Sequence, residues 1–235
     1  MMNGLWNSLA ARADRELSAE QHDRLERYID LLLAANQRMN LTRIMDRESA
    51  RVQHVGDGLT LLPYLPREAH RLADVGSGGG VPGMVLAIAR PDAEVVLIES
   101  TKKKAAFLRE CAAELGLANV TVRDERAEAA GQSDLRETLD VVTARAVGEL
   151  AWLVEWCLPL VRKGGWMLAM KGQRISEELP AAHKAIRALN GGGAEVHPVE
   201  LPGTEHHVIV RIAKIGKSDR RYPRPATTAK GKPIR

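Results

Sequence analysis

The segment DVGSGGGVPG, residues 74–83, limits what this chain can fold into more than any other stretch. It follows the apolar run RLADV (71–75) and opens an apolar helical stretch near 82–90, so it reads as a strand-to-helix turn. Gly76, Gly78 and Gly80 let the backbone turn sharply and let a ligand approach to contact distance, where a Cβ would intrude. Pro82 suits a first helical turn, which needs no N–H at that position. In α/β chains a nucleotide-binding turn lies at this place, at the carboxyl end of the first strand.

The rest of the chain has the matching rhythm. Short apolar runs at 71–75, 94–99, 119–123, 139–144, 166–170, 194–200 and 206–213 predict seven strands. Helices are expected near 82–90, 101–116, 126–131, 148–163 and 175–190. Apolar strands covered by helices on both faces indicate an α/β, doubly wound, mostly parallel sheet. The last two runs are joined by the short turn LPGTE, which predicts an antiparallel hairpin at one edge. Residues 1–66 read as a helical cap. Ser18 and Gln21 form a capping box ahead of Leu25, Tyr28, Ile29 and Leu32, and Asp46 can cap a second helix that ends near Pro63 and Pro66. The expected units are thus the cap (1–66), the sheet domain (67–215) and a tail (216–235).

The apolar share of 45% and charged share of 27% are those of a globular protein. No apolar stretch approaches the ~20 residues a bilayer requires, and the first residues lack the basic-then-apolar pattern of a signal peptide. Cys111 and Cys157 each fall on an apolar helical face, as buried reduced thiols of a cytoplasmic protein would. The net charge of +4 is unevenly distributed. Residues 216–235 carry seven basic side chains against Asp219, a net +6, which leaves −2 on the body. Such an arm, with Arg220, Arg221 and Arg224, is suited to phosphates, although a solvated terminus would look the same.

Two ligands compete for the turn. Gly78, Gly80 and Gly83 satisfy the G-x-G-x-x-G pattern of NAD sites, but the match starts late after the strand. The spacing of Asp74, Gly76, Gly78 and Gly80 instead resembles the first motif of S-adenosylmethionine-dependent methyltransferases. In that reading Asp74 faces the ammonium of the ligand's amino-acid end. Glu99, at the end of the second strand, is placed to accept hydrogen bonds from ribose hydroxyls, and either ligand offers these. Arg126-Ala127-Glu128 follows the third strand, where the adenine is usually flanked.

Methyl transfer from a sulfonium depends chiefly on alignment. After the fourth strand there is no Asp/Asn-Pro-Pro-aromatic turn for an exocyclic amine, neither cysteine ends a strand as a C5 nucleophile, and no metal-ligand cluster is evident. A nucleophile with its own free lone pair, such as guanine N7, needs no base. Arg145, in the exit from the fourth strand, is the polar residue best placed to hold a carboxylate, a phosphate or a guanine edge.

With these pieces in order, the chain resembles the bacterial small-subunit ribosomal RNA guanine-N7 methyltransferases, also called glucose-inhibited division protein B. The resemblance rests on Asn40-Leu41-Thr42, His54 with Asp57, the 74–83 turn, Glu99-Ser100 with Lys103 and Lys104, Arg126-Ala127-Glu128, Ala144-Arg145-Ala146, Lys171-Gly172 and Tyr222-Pro223-Arg224. It implies a Rossmann-like class I methyltransferase fold. It also implies S-adenosylmethionine contacts at Gly76, Val81, Ala127, Glu128 and Arg145, and 16S ribosomal RNA or the small ribosomal subunit as partner, with no obligate protein partner evident. Lys103, Lys104, Arg220, Arg221 and Arg224 would meet phosphates. The chain departs from the family at Gly58, where Ser is frequent, and at Thr227 and Ala229 in the tail. A non-catalytic ribosome-assembly factor on the same fold, and an NAD-dependent oxidoreductase, are the competing readings.

Overall fold

A computed structural model describes residues 2–234; Arg235, the last of the basic tail residues, lies outside them. The chain begins with α1 (Met2–Ala11) and α2 (Ala19–Met39). Ser18 caps α2 as its spacing predicts: its hydroxyl accepts from Gln21 N, and the Gln21 side chain accepts from Ser18 N. Asp46 caps α3 (Arg47–Ala50) by accepting from Ser49 N at 2.8 Å. The helix then widens into a π turn, Arg51–Gly56, before α4 (Asp57–Leu59). A π turn re-aims the residues it carries and recurs at functional sites; here it carries His54.

Seven strands follow: β1 (Arg71–Val75), β2 (Glu94–Ile98), β3 (Val120–Arg123), β4 (Leu139–Arg145), β5 (Val161–Lys171), β6 (Gly191–Pro198) and β7 (Val208–Lys214). Their order in the sheet is β3-β2-β1-β4-β5-β7-β6. β1 pairs in parallel with both β2 and β4, so the strand order reverses at its carboxyl end. A crevice opens there because the connections leave in opposite directions. β7 runs antiparallel to β5 and β6, which gives the expected edge hairpin.

The connecting helices are α5 (Gly83–Ala89), α6 (Lys102–Glu114), α7 (Ala127–Ala130), α8 (Leu150–Cys157) and α9 (Ile175–Ala188), with α10 (Ala226–Gly231) in the tail. The helix expected over 148–163 is shorter. Pro159 cannot extend α8, and from Val161 the chain pairs with Leu139 as β5, with a register shift at Gly164-Gly165 before Trp166 meets Val141.

The sheet has a core on each face. On one, Leu25, Tyr28, Ile29 and Leu32 of α2 pack in the same cluster as Met84, Val85 and Leu108. On the other, Leu153, Trp156 and Cys157 of α8 cluster with Tyr222 and Ala229 of the tail. Cys111 and Cys157 are both buried, and burial pushes both thiols up, Cys111 to about 12. No helix among the described residues is long and apolar enough to cross a membrane.

Candidate functional site

At the end of β1 the backbone folds over the carboxyl edge of the sheet. Gly76 N and Ser77 N both donate to Ile98 O, at 2.8 and 3.2 Å, and Gly80 N donates to Ser77 O. Gly76 has φ +72°, and a Cβ there would stand 2.7 Å from Val147 Cγ2. Conformation and close approach both require glycine at this point. The cap grips the outer side of the turn, where buried Tyr28 donates its hydroxyl to Gly79 O at 2.9 Å.

Two carboxylates hold the turn from within. Glu99 accepts from Gly78 N at 2.9 Å through one oxygen and from Thr101 N at 2.7 Å through the other. Two bonds leave part of the acceptor capacity of a carboxylate unused. Asp74 departs from expectation: it is 1% exposed and faces inward. It accepts from the Thr143 hydroxyl at 2.9 Å and from Gly83 N at 3.2 Å. Burial pushes its carboxyl up to about 7, although both bonds pull it down. Asp74 therefore braces strand against helix and does not face an ammonium in the crevice. Gly80 is also turned inward, where a Cβ would meet Met84 Cγ at 2.6 Å.

Two hollows meet at Gly76. The larger, of about 470 Å³, is lined by Gly76, Gly78 and Val81 and by Arg43, His54, Lys104, Arg145 and His207. Arg145 Nε lies 3.2 Å from Asp57 Oδ2, and one terminal nitrogen donates to Gln53 O at 3.0 Å. Its remaining N–H groups are left for a ligand. His207 Nδ1 lies 3.4 Å from the other Asp57 oxygen. His54 is 5% exposed, with neither ring nitrogen partnered among the described residues. Burial first, and Arg145 second, lower its pKa to about 4, so the imidazole is neutral near pH 7.

The smaller hollow, about 180 Å³, is lined by Gly76, Ser100, Ala127, Glu128, Val147 and Trp156, with Lys230 at its edge. It joins the end of β2 to the loop after β3, where Ala127 and Glu128 were expected. A further hollow of about 480 Å³ between α6 and β3 has Arg109 and a wall of Ala112, Leu117, Val120 and Val122. It has no convergent set of polar groups.

The structure thus brings Gly76, Gly78, Val81, Glu99, Ala127, Glu128 and Arg145 around one divided crevice. Of the two lysines, Lys104 lines the larger hollow, whereas Lys103 is exposed on α6 and lines neither. Arg220 and Arg221 are exposed in the tail. Arg224 has a different task from the one expected. Its Nε and a terminal nitrogen each donate to Glu155 at 2.7 Å, and Glu155 is 0% exposed. That bidentate pair ties the tail to α8, because a buried carboxylate without a partner is costly. Sequence reasoning missed Trp156, Lys230, Arg43 and His207. These come from distant elements, and no local motif marks them. Among the described residues no group of three or more His, Cys, Asp or Glu side chains could hold a metal.

Comparison with known proteins gives the family and the fold. The profile of the family described as rRNA small subunit methyltransferase G matches residues 21–208. The chain is 48% identical over 198 residues to "Ribosomal RNA small subunit methyltransferase G" of Sorangium cellulosum, covering 83% of this chain and 81% of that protein. It is 44% identical over 219 residues to the protein of the same name from a Roseiflexus species, covering 93% and 94%. Among solved structures it is similar in fold to the 16S rRNA (adenine(1408)-N(1))-methyltransferase of Catenulisporales acidiphilia, with a TM-score of 0.52 and 19% identity over 64% of this chain and 87% of that one. A SAM-dependent O-methyltransferase from Thermotoga maritima superposes with a TM-score of 0.53 at 16% identity, covering 80% and 72%. At such identities these two likenesses speak for the fold alone.

Proposed function

The chain belongs to the rRNA small subunit methyltransferase G family, and from that premise we propose that it transfers a methyl group from S-adenosylmethionine to N7 of a guanine in 16S ribosomal RNA. The observation that carries this reading is the divided crevice at the end of β1, with bare backbone at Gly76 between a charged half and a nucleoside-sized half.

The residues present fit S-adenosylmethionine. The unused acceptor capacity of Glu99 suits the two ribose hydroxyls. Ala127 and Glu128 line the hollow that would take the adenine. Gly76, Gly78 and Val81 line the passage to the other half, where Arg145 can receive a carboxylate. On the nucleoside side the carboxylates Glu99, Glu125 and Glu128 outnumber the cations Arg126 and Lys230, which favours a ligand without a pyrophosphate.

S-adenosylmethionine supplies an electrophilic methyl carbon on a sulfonium sulfur. The chain's own residues then have to position the acceptor. Arg43, Lys104 and Arg145 give the larger hollow the positive rim that an RNA phosphate backbone needs. Arg145, held by Asp57 and Gln53, presents a fixed fork toward the acceptor. Guanine N7 carries no proton, so the reaction requires no general base. A neutral His54, unable to take up a proton readily at pH 7, is compatible with that chemistry. Arg220 and Arg221, among the exposed cations of the tail, extend the phosphate contacts. The site of action is the cytoplasm, where small subunits are made, and both cysteines stay reduced there.

The test is to incubate unmodified small subunits with methyl-labelled S-adenosylmethionine and map the label. This reading predicts 7-methylguanosine within 16S RNA. Failure to bind the methyl donor in calorimetry would support the assembly-factor alternative, and binding of NAD in its place would overturn the cofactor assignment.

A further inference from the structure

The loop that leaves β4 borders both halves of the crevice. Ala146 lines the larger hollow beside Arg145, and Val147 lines the smaller one. Val147 also packs on the glycine turn, where its Cγ2 is the atom that a Cβ on Gly76 would meet. The loop takes this path with two residues at positive φ, Ala146 at +54° and Gly148 at +153°. At Gly148 a Cβ would fall 1.7 Å from the Trp152 ring. A residue other than glycine does not favour the left-handed region, and it stays there only when its surroundings hold it.

An ion pair on the far side of the loop does the holding. Lys171 ends β5, and the residue before it, Met170, is paired with Arg145. Its Nζ donates to Gly148 O at 2.6 Å and lies 2.6 Å from Glu178 Oε2. That same Glu178 oxygen accepts from Leu150 N, the first amide of α8, at 2.8 Å. The two side chains are 10% and 11% exposed. Lys171, which the sequence singles out together with Gly172, lines neither hollow, and neither does Glu178. The pair thus fastens the loop at two backbone points without reaching a ligand.

We infer that Lys171 and Glu178 are positioning residues for methyl transfer: through Gly148 O and Leu150 N they fix the β4–α8 loop, which sets Val147 on the glycine turn and Ala146 beside Arg145. The inference rests on reading the crevice as the methyl-transfer site. Alignment carries most of this reaction, and a displacement of about 1 Å at a distance from the chemistry can cost about 100-fold in rate. Loss of the pair is therefore expected in turnover more than in affinity.

The experiment measures kcat and KM for methylation of unmodified small subunits by the full-length wild type, Glu178→Gln and the double variant Lys171→Met with Glu178→Leu. Urea denaturation ranks their stabilities. The double variant replaces a buried ion pair by apolar side chains of similar size, so it should be about as stable as wild type. Its kcat should nevertheless fall about 30-fold, with KM for small subunits changed less than about threefold. Glu178→Gln removes the charge but keeps an oxygen that can accept from both Lys171 Nζ and Leu150 N. It should be less stable, since Lys171 loses its counter-ion, yet hold kcat within about threefold of wild type. A pair that served stability alone would give activities that follow the stabilities. Hydrogen exchange of the unliganded protein reads the loop without turnover: the Leu150 amide should exchange about tenfold faster in Lys171→Met, although its own acceptor is still present. If wild type does not methylate small subunits, the functional reading falls, and the exchange measurement alone still tests the clamp. If wild type is active and the double variant turns over equally fast, or Glu178→Gln falls as far as the double variant, the inference is overturned.

Discussion

The two halves of the crevice share Gly76 but are built from opposite ends of the chain. The larger half is walled by the N-terminal cap, through Leu32, Arg43 and His54, and its ionisable side chains, Arg43, His54, Lys104, Arg145 and His207, are all basic. The smaller half is walled by α7, α8 and the tail, and its side chains are small, apolar or acidic apart from Arg126 and Lys230. Helix α2 and α10 pack on opposite faces of the sheet, in separate apolar clusters. A turn of bare backbone can therefore serve two chemistries, a polyanion on one side and an uncharged base on the other. The cap, through Arg43 and His54, and the tail, through Lys230, both wall the crevice.

The largest expected effect lies on the cap side. Arg145→Ala should lower methyl transfer to unmodified small subunits about 100-fold or more, and Arg145→Lys should recover little, because Lys lacks the planar fork. Turnover near wild type in Arg145→Ala would remove this half from the chemistry.

On the tail side, Arg224→Ala leaves the fully buried Glu155 without its partner. A loss of about 3 kcal/mol in urea denaturation is expected, with the salt dependence of RNA binding unchanged. Were the salt dependence to weaken and stability to hold, Arg224 would belong to the RNA contacts.

A smaller effect separates the halves by pH. His54 is held neutral, its pKa lowered from 6.5 to about 4. Between those values the unfolded chain binds a proton that the folded chain does not. The stability His54 contributes is thus complete above 6.5 and is lost as the pH falls toward 4. At pH 5 the loss is about 2 kcal/mol, and His54→Gln should flatten that part of the curve in denaturation at pH 7 and pH 5. An imidazole titrating near its ordinary value by NMR would contradict the buried, unpartnered state. The smallest effect compares two lysines. Lys104→Ala should weaken RNA binding severalfold and reduce its salt slope by about 0.7–0.9, whereas exposed Lys103→Ala should change both less.

Much of the site was legible because its signals are local or sit at the ends of adjacent strands. Ser18 and Asp46 act through residues three positions away, while the glycine turn and Glu99 meet because β1 and β2 are paired in parallel. The alternation of strands and helices was legible for the same reason. Burial direction was not. Asp74 reads as a ligand for an ammonium until the fold shows Thr143 and Gly83 on either side of it. The tail reads as an arm because charge is visible in sequence, but Glu155, which takes Arg224, lies far upstream. The departure at Gly58 becomes clear only in three dimensions: a Cβ there would stand 3.0 Å from Val85. α8 was overextended because an apolar run does not by itself distinguish the end of a helix from the start of a buried strand.

The most direct measurement of the central claim is a crystal structure of the full chain with S-adenosylhomocysteine. The account predicts the ligand astride Gly76, its ribose on Glu99, its adenine in the hollow lined by Ala127 and Glu128, and its amino-acid end in the half lined by Arg145. A ligand bound the other way round, or bound with the smaller hollow empty, would contradict it.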